Sequence, residues 1–296
     1  MRARFPIGIA MLALVGSPAW QMPAATFTPR TTGPSHVVVI VMENHEYDAI
    51  MNVSSDAPYL RSLAATGVTL SHLFAITHPS LPNYLALTSG STHGITSDCS
   101  SCLVHGANIA DQLDGAGIGW KAYMESIPSP CYTGVGNGSY YMKHDPFMYY
   151  TDIRNDPARC QQVVPLGQLR RDLAASALPR FSWISPNICH DMHDCSVAIG
   201  DRFLQTWVPR ILPQLGADGI VVVLFDEGWT SLGCCRQQAA GGRIAGVIAG
   251  PGAGQGVVVS ARADQYSILG LIERAWGLDL LGQVADAPEI TGWQAA

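Results

Sequence analysis

Two polar clusters directly follow apolar runs of the chain, at the positions where ligands bind in open α/β sheets. Glu43 and Asn44 come after the run VVVIVM, and Asp226 and Glu227 come after GIVVVLF. Carboxylate and amide oxygens are hard ligands for a divalent cation, and a cation would relieve the repulsion between adjacent carboxylates. The alternatives are helix capping by Asn44 with Glu43 in solvent, and a salt bridge or solvated turn at Asp226 and Glu227.

A third such cluster, THPSLPNY, carries a hydroxyl group placed for nucleophilic attack. Ser80 precedes Pro82 and the apolar helical run YLAL, which places Ser80 at a helix N-terminus. The free N–H groups and the positive end of the helix dipole there favour a bound phosphate and an alkoxide. Ser80 could also be an ordinary N-cap, a role that does not exclude the chemistry.

The segment SPNICHDMHDC, residues 185–195, concentrates side chains that bind metals or phosphate. It holds His190, His193 and two aspartates between two cysteines that could pin the loop. The candidate roles are metal ligation, phosphate binding and general acid catalysis.

The elements that must position these clusters alternate between strands and helices. Continuous apolar runs predict strands at 36–42, 67–75, 119–125, 181–185, 219–225 and 243–249. Helical patterns fall at 57–65, 83–89, 108–113, 166–175, 198–215 and 265–276. The alternation predicts a three-layer α/β/α sandwich with a mostly parallel central sheet. Residues 126–164 lack this periodicity, and we expect them to form a loop insertion that makes a wall or lid over the site.

Composition fits one catalytic domain over residues 26–296. Of the 296 residues, 48% are hydrophobic and 14% are charged, so a sizeable core is available and disorder is not expected. The net charge is −6 and the basic residues are scattered, so no nucleic-acid-binding surface is expected. The sequence leaves the oligomeric state open.

The first 25 residues have the layout of a secretory signal peptide. MRAR gives a positive start, PIGIAMLALV an apolar run, and small residues follow; the cleavage site stays open. The alternative, a membrane anchor, would need about 20 apolar residues, and no later segment is a candidate for a stable span. The eight cysteines agree with export to a periplasm or the medium, where disulfides form.

Together these motifs resemble a known family. HPSLPNYLALTSGSTHGI is similar to the nucleophile segment of the alkaline phosphatase superfamily. MENHEY, HPSLPNY, KHDPF, SPNICHDMHD and FDEG, in this order, resemble the phosphoesterase family that groups bacterial acid phosphatases with phospholipases C. The resemblance covers nearly the whole mature chain and implies an alkaline-phosphatase-like sandwich.

The resemblance also implies roles by position. Ser80 would be the nucleophile and would pass through a phosphoserine intermediate. The implied metal ligands are Glu43, Asn44, Ser80, Asp226 and Glu227; the implied phosphate contacts are Asn83, His144 and His78; the implied proton-transfer residues are His193 and His190.

We expect one divalent metal ion, whose identity the sequence leaves open. Two-zinc members of the superfamily have an Asp-His pair after the later strand and a further late histidine. This chain has Asp226-Glu227 there, and no histidine follows His193. If a cationic histidine does the work of a second ion, activity should favour mildly acidic pH.

Three functions stay open, and we favour an exported, metal-dependent phosphomonoesterase of the acid phosphatase type. A phospholipase C-type phosphodiesterase would need room for a lipid headgroup, and the tyrosines of the insertion could line a choline pocket. A non-catalytic exported binding protein could use the same fold. A sulfatase is disfavoured because Tyr84 stands where the sulfatase motif has arginine.

Overall fold

The structure is a computed structural model that describes residue 1 and residues 33–235 and 240–295. The described residues from 33 onward belong to one compact unit. The predicted signal peptide, residues 1–25, lies outside the described residues apart from Met1.

A single mixed sheet forms the centre of the molecule and confirms the predicted α/β/α sandwich with a mostly parallel sheet. Its strands lie in the order β4-β3-β5-β1-β6-β7-β2-β8, and β9 pairs with β2. The strands are β1 (Val37–Met42), β2 (Val68–Phe74), β3 (Trp120–Met124), β4 (Val163–Pro165), β5 (Phe181–Ser185), β6 (Ile220–Phe225), β7 (Arg243–Ala249), β8 (Val257–Val259) and β9 (Ala263–Asp264).

Helices connect the strands. They are α1 (Tyr47–Met51), α2 (Pro58–Thr66), α3 (Ser80–Ser89), α4 (Ile109–Gly115), α5 (Thr151–Arg154), α6 (Pro157–Cys160), α7 (Gly167–Ala174), α8 (Val197–Ile211) and α9 (Gln265–Trp276). Within the described ranges, each helix is too short or too polar to cross a bilayer.

The strands at the centre of the sheet are buried on both faces. Every residue of β1 and β6 is buried, as continuous β-branched runs predict. β1 is parallel to β5 and β6. β7 is antiparallel to both β6 and β2, so β2 runs in the same direction as β1. The carboxyl ends of β1, β2, β5 and β6 therefore meet at one edge of the sheet.

The structure differs from the sequence prediction at short elements. β4, β8 and β9 have two or three residues each, too few for a periodic signal. Residues 126–164 contain two short helices, α5 and α6, and two 3₁₀ turns, Met142–His144 and Pro146–Tyr149. α3 begins at Ser80, three residues before the predicted start, because its first turn contains Pro82, which is tolerated there.

A buried carboxylate joins two of these helices. Asp201 of α8 accepts hydrogen bonds from the N–H groups of Tyr59 (2.9 Å) and Leu60 (2.8 Å), in the first turn of α2. Asp201→Ala leaves both N–H groups unpaired, and we expect the free energy of unfolding to fall by about 1–3 kcal/mol in urea denaturation. Asp201→Asn keeps one acceptor and should lose less.

Asp56→Ala is the matched control, because Asp56 is exposed and lies just before the same helix. Its effect should stay within about 0.5 kcal/mol. Equal losses in Asp56→Ala and Asp201→Ala would contradict the capping role of Asp201.

Candidate active site

The hydroxyl group of Ser80 is buried between two carboxylates. Pro79 occupies the N-cap position of α3, so Ser80 is the first helical residue and makes no side-chain cap. Ser80 Oγ lies 3.1 Å from Glu43 Oε2 and 3.2 Å from Glu227 Oε1. The capping alternative for Ser80 is therefore wrong. The hydroxyl can donate its proton to either carboxylate, as a nucleophile requires.

The two carboxylate clusters predicted at strand ends meet in the fold. Glu43 follows β1, while Asp226 and Glu227 follow the adjacent parallel strand β6. Glu43 and Asp226 have no exposed surface and Glu227 has 6%. The backbone N–H groups of Asn44 and Glu227 donate to Asp226 Oδ1 at 2.9 and 2.6 Å. Solvation of these acids, the alternative at the sequence level, is excluded by their burial.

The electrostatics of this cluster oppose full ionisation. Burial raises the pKa of Glu43 well above its usual range, and repulsion by Asp226 and Asp191 adds to the effect. Burial likewise raises the pKa of Asp226. Burial and the charge of Asp226 raise the pKa of Glu227 to about 7. The cluster therefore needs bound protons or a cation.

Buried oxygen atoms without partners test whether a cation fits. Asn44 Oδ1 and Asp226 Oδ2 are buried and have no hydrogen-bond partner among the described residues. Asn44 also does not cap α1, whose N-cap is Glu46. Unpaired buried acceptors are rare in proteins, and a hard divalent cation prefers oxygen ligands. The donor set fits a divalent metal.

A second group of candidate ligands shares Glu43. One ligand atom from each of Glu43, His144 and Asp191 lies within 4.8 Å of the others. His144 Nε2 is 3.3 Å from Glu43 Oε2, and His144 Nδ1 is 3.3 Å from Asp191 Oδ2. Burial lowers the pKa of His144 to about 3, and Lys143 pushes it in the same direction. The neutral imidazole is the form that binds metals.

Tyr84 supports this group, and sequence reasoning missed it. Its hydroxyl donates to Glu43 Oε1, and its ring stacks on His144 with centroids 5.5 Å apart. Tyr84 is four residues after Ser80, so both lie on one face of α3. This four-residue spacing is the sequence feature that could have placed Tyr84 in the site.

Lys143 and Asp98 were also missed, and neither carries a local signal of its position. Lys143 Nζ lies 3.0 Å from Asp98 Oδ2, and Asp98 Oδ1 accepts from the N–H of Leu81 at 2.9 Å. Asp98 thus holds the first turn of α3 beside Ser80. Lys143 brings a positive charge that lowers the pKa of Glu43.

His78 and His193 lie at a cavity of 490 Å³ together with Glu227. His78 Nδ1 contacts Glu227 Oε2, and its Nε2 lies 3.0 Å from the carbonyl oxygen of Thr230. Burial alone would lower the pKa of His78, but these hydrogen bonds outweigh it and raise the pKa. His193 Nδ1 lies 2.8 Å from Asp194 Oδ1. Both predicted histidines therefore line the cavity of Glu227, the carboxylate that contacts Ser80.

Asn83 lies beside the nucleophile but faces the backbone. Its Oδ1 accepts from the N–H groups of Ile76 (3.1 Å) and Thr77 (3.0 Å), and its Nδ2 donates to the carbonyl of Thr77 (2.8 Å). These bonds fix the segment that leads into Ser80. A phosphate contact from Asn83 stays a prediction, since its donor is engaged here.

His190 is not brought to the cavity that Glu227, His78 and His193 line. Its Nδ1 lies 2.9 Å from both oxygens of Glu125, and its ring packs on Phe203 with centroids 5.6 Å apart. It lines a separate cavity with both of these residues. Its neighbours lie elsewhere: His193 lines the cavity of Glu227, and Asp191 lies beside His144. Successive side chains of one loop point in different directions.

Disulfides fix the loops around the site. All eight cysteines are paired, as Cys99–Cys102, Cys131–Cys160, Cys189–Cys195 and Cys234–Cys235. Cys131–Cys160 closes most of the insertion, and Cys189–Cys195 brackets the segment of Asp191. Cys99 and Cys102, whose CxxC spacing also occurs in zinc sites, are joined to each other and so offer no thiolate ligand.

The hydrogen bond from Tyr84 to Glu43 generates a test. In the metal-loaded protein, where the proposed cation would keep Glu43 ionised, Tyr84→Phe keeps the ring but removes a donor to this buried carboxylate. The free energy of unfolding should therefore fall by about 1.5–3 kcal/mol. Tyr150→Phe is matched, because its buried hydroxyl pairs with the neutral Thr88 Oγ1 at 2.7 Å. That variant should lose only about 0.5–1.5 kcal/mol. An equal or smaller loss in Tyr84→Phe, measured in urea, would contradict a charged partner.

Several known proteins are similar in sequence to this chain. The phosphatidylinositol-3-phosphatase of Mycobacterium tuberculosis is 32% identical over 298 residues, which cover 98% of this chain and 93% of its own length. An acid phosphatase of Aspergillus fumigatus is 28% identical over 255 residues, which cover 82% of this chain but 55% of its own length.

Among solved structures, a protein in the alkaline phosphatase superfamily from Vibrio parahaemolyticus has the same fold. Its TM-score is 0.60 at 13% identity, and the match covers 88% of this chain and 73% of that one. The model of the Phosphoesterase family matches residues 52–279. The chain therefore belongs to the Phosphoesterase family and is a hydrolase that acts on phosphoric esters.

Proposed function

We propose that this chain is an exported, metal-dependent phosphomonoesterase that acts through a phosphoserine at Ser80. The observation that carries the proposal is the Ser80 hydroxyl, buried at the start of α3 within 3.2 Å of both Glu43 and Glu227. A serine at the surface would donate to water, and a serine that only fills space would not need two carboxylate acceptors.

One divalent ion is proposed for the ligand set Glu43, Asn44, Ser80, Asp226 and Glu227. The unpartnered oxygens of Asn44 and Asp226 support this set, and Glu43 links it to His144 and Asp191. When bound, the ion would supply positive charge that favours the Ser80 alkoxide and polarises the phosphate. No histidine follows His193, which supports one ion over two.

The residues of the chain supply the remaining steps. Ser80 Oγ gives its proton to Glu43 or Glu227 and attacks phosphorus in line with the leaving oxygen. Burial lifts the pKa of Glu227 to about 7, close to the value that suits a proton acceptor at neutral pH. The positive end of the α3 dipole, which lies at Ser80, favours the negative charge on the phosphoryl oxygens.

Proton transfer to the leaving alcohol is assigned to His193 or His78, which border the cavity. The alcohol takes one proton as its bond to phosphorus breaks. Water then attacks the phosphoserine from the vacated side, gives up a proton, and restores Ser80 and free phosphate. His190, which pairs with Glu125 elsewhere, has no part in this scheme.

The insertion favours a monoesterase over a phospholipase C. Of the tyrosines of the insertion that could have lined a choline pocket, Tyr140, Tyr149 and Tyr150 are buried in the core. Tyr132 packs edge-on against Tyr140, with centroids 5.8 Å apart. The names of the two relatives, a phosphatidylinositol-3-phosphatase and an acid phosphatase, both denote phosphatases.

Export is proposed on two grounds. The first 25 residues have the pattern of a signal peptide. All eight cysteines form disulfides, which persist in oxidising compartments such as a periplasm or the extracellular medium.

The test compares hydrolysis of p-nitrophenyl phosphate and p-nitrophenyl phosphorylcholine. The monoester should be the better substrate, and Ser80→Ala should lower its kcat by roughly 10³-fold or more because the nucleophile is lost. Chelation should abolish turnover of the wild type, and a divalent metal should restore it.

Ser101→Ala, at an exposed serine, is the control and should keep full activity. Faster turnover of the phosphorylcholine ester would move the assignment to a phosphodiesterase. Turnover by metal-supplied Ser80→Ala at the wild-type rate would disprove the nucleophile.

A further inference from the structure

An exposed indole stands at the mouth of the candidate active site. Trp229 is 65% exposed and lines the same 490 Å³ cavity as Glu227 and His193. Among the described phenylalanine, tyrosine and tryptophan residues, it is the one whose side chain is largely exposed. Tryptophan usually buries most of its ring, and the proposed chemistry leaves this ring unused.

The backbone that carries the indole is anchored by one carboxylate. Glu46 Oε1 accepts hydrogen bonds from the N–H of Trp229 at 3.0 Å and from the N–H and hydroxyl of Thr230 at 2.8 and 2.7 Å. Three bonds to one oxygen hold the turn immediately after Glu227. The backbone beneath the indole is therefore held beside Glu227, which lowers the entropy cost of binding a ligand against the ring.

Two glycines let the Glu46 carboxylate approach this turn. A Cβ atom at Gly228 would lie 2.4 Å from Glu46 Oε1, and one at Gly242 would lie 2.6 Å from it. Gly242 also has φ +93°, which side-chain-bearing residues rarely adopt. The turn is thus built around the carboxylate.

The indole of Trp229 packs against another ring, that of His45, on one side. The ring of His45 meets the indole edge to face, with centroids 5.3 Å apart and planes at 77°. His45 packs in turn against the buried ring of Phe225, with centroids 6.0 Å apart. Most of the remaining indole surface is open, which is what a stacking partner needs.

From this placement we propose, on the basis of the function proposed for Ser80, that Trp229 is a specificity-determining platform for a flat aromatic ring in the substrate's alcohol portion. The ring is either bonded directly to the ester oxygen, as in an aryl phosphate, or carried on the sugar of a nucleoside monophosphate. Either presents a π-face to the indole while its phosphate lies at Ser80. Stacking tolerates different rings because each has a π-face.

The test measures kcat/KM for p-nitrophenyl phosphate, AMP and glycerol 2-phosphate in wild type, Trp229→Ala and Trp229→Phe. Trp229→Ala should lower kcat/KM by about tenfold for an aromatic substrate, mainly through KM, because stacking is lost. Glycerol 2-phosphate has no ring and should be unaffected. Trp229→Phe restores a π-face and should recover most of the loss.

Trp207→Ala is the matched control, because this indole lies at the separate cavity that His190 lines; it should not change the ratio of aromatic to glycerol substrate. A drop with p-nitrophenyl phosphate alone assigns the platform to aryl esters, and a drop with AMP alone assigns it to nucleotides. Equal losses on all three substrates, or no loss on either aromatic one, would overturn the proposal.

Failure of the proposed function is recognised separately. Ser80→Ala should lose turnover of glycerol 2-phosphate, a substrate that does not depend on Trp229. If that turnover persists, the nucleophile assignment fails whatever Trp229 does.

Discussion

Repulsion among buried carboxylates is the constraint on which the site depends. Glu43, Asp191, Asp226 and Glu227 converge near the hydroxyl of Ser80, and burial raises the pKa of each acid. Such a cluster is costly in a protein interior unless protons or a cation compensate it. Buried acids with strongly raised pKa values are typical of catalytic sites, where a bound cation or substrate interacts with their charge.

The scaffold resists that repulsion from several directions. The central strands β1 and β6 are buried along their whole length, so their ends cannot move apart. The disulfide Cys189–Cys195 brackets the loop of Asp191, and Tyr84 donates a hydrogen bond to Glu43 from α3. The sheet edge, one loop and one helix therefore hold the acids together before any ligand arrives.

The sequence predicted those parts of the site that depend on short segments of the chain. The buried strands are recognisable as β-branched runs, and Glu43, Asp226 and Glu227 follow them directly. Because ligands bind at the carboxyl ends of the strands in open α/β sheets, these residues were expected to lie together. Asp98 and Lys143 reach the site only through tertiary packing, which no spacing encodes. The segment 185–195 shows the same limit. Its many ligand-type residues were visible in the sequence, but only the fold shows that His190 pairs with Glu125 while Asp191 lies beside His144.

We propose that a divalent ion compensates the charge of the buried acids. The most direct measurement is the Tm of the wild-type protein after metal removal, verified by elemental analysis, and during titration with divalent ions. We expect a lower Tm without metal and full recovery at one bound ion per chain, because an ion that binds only the folded state stabilises it. An unchanged Tm in the demonstrably metal-free protein, with no rise on titration, would contradict it.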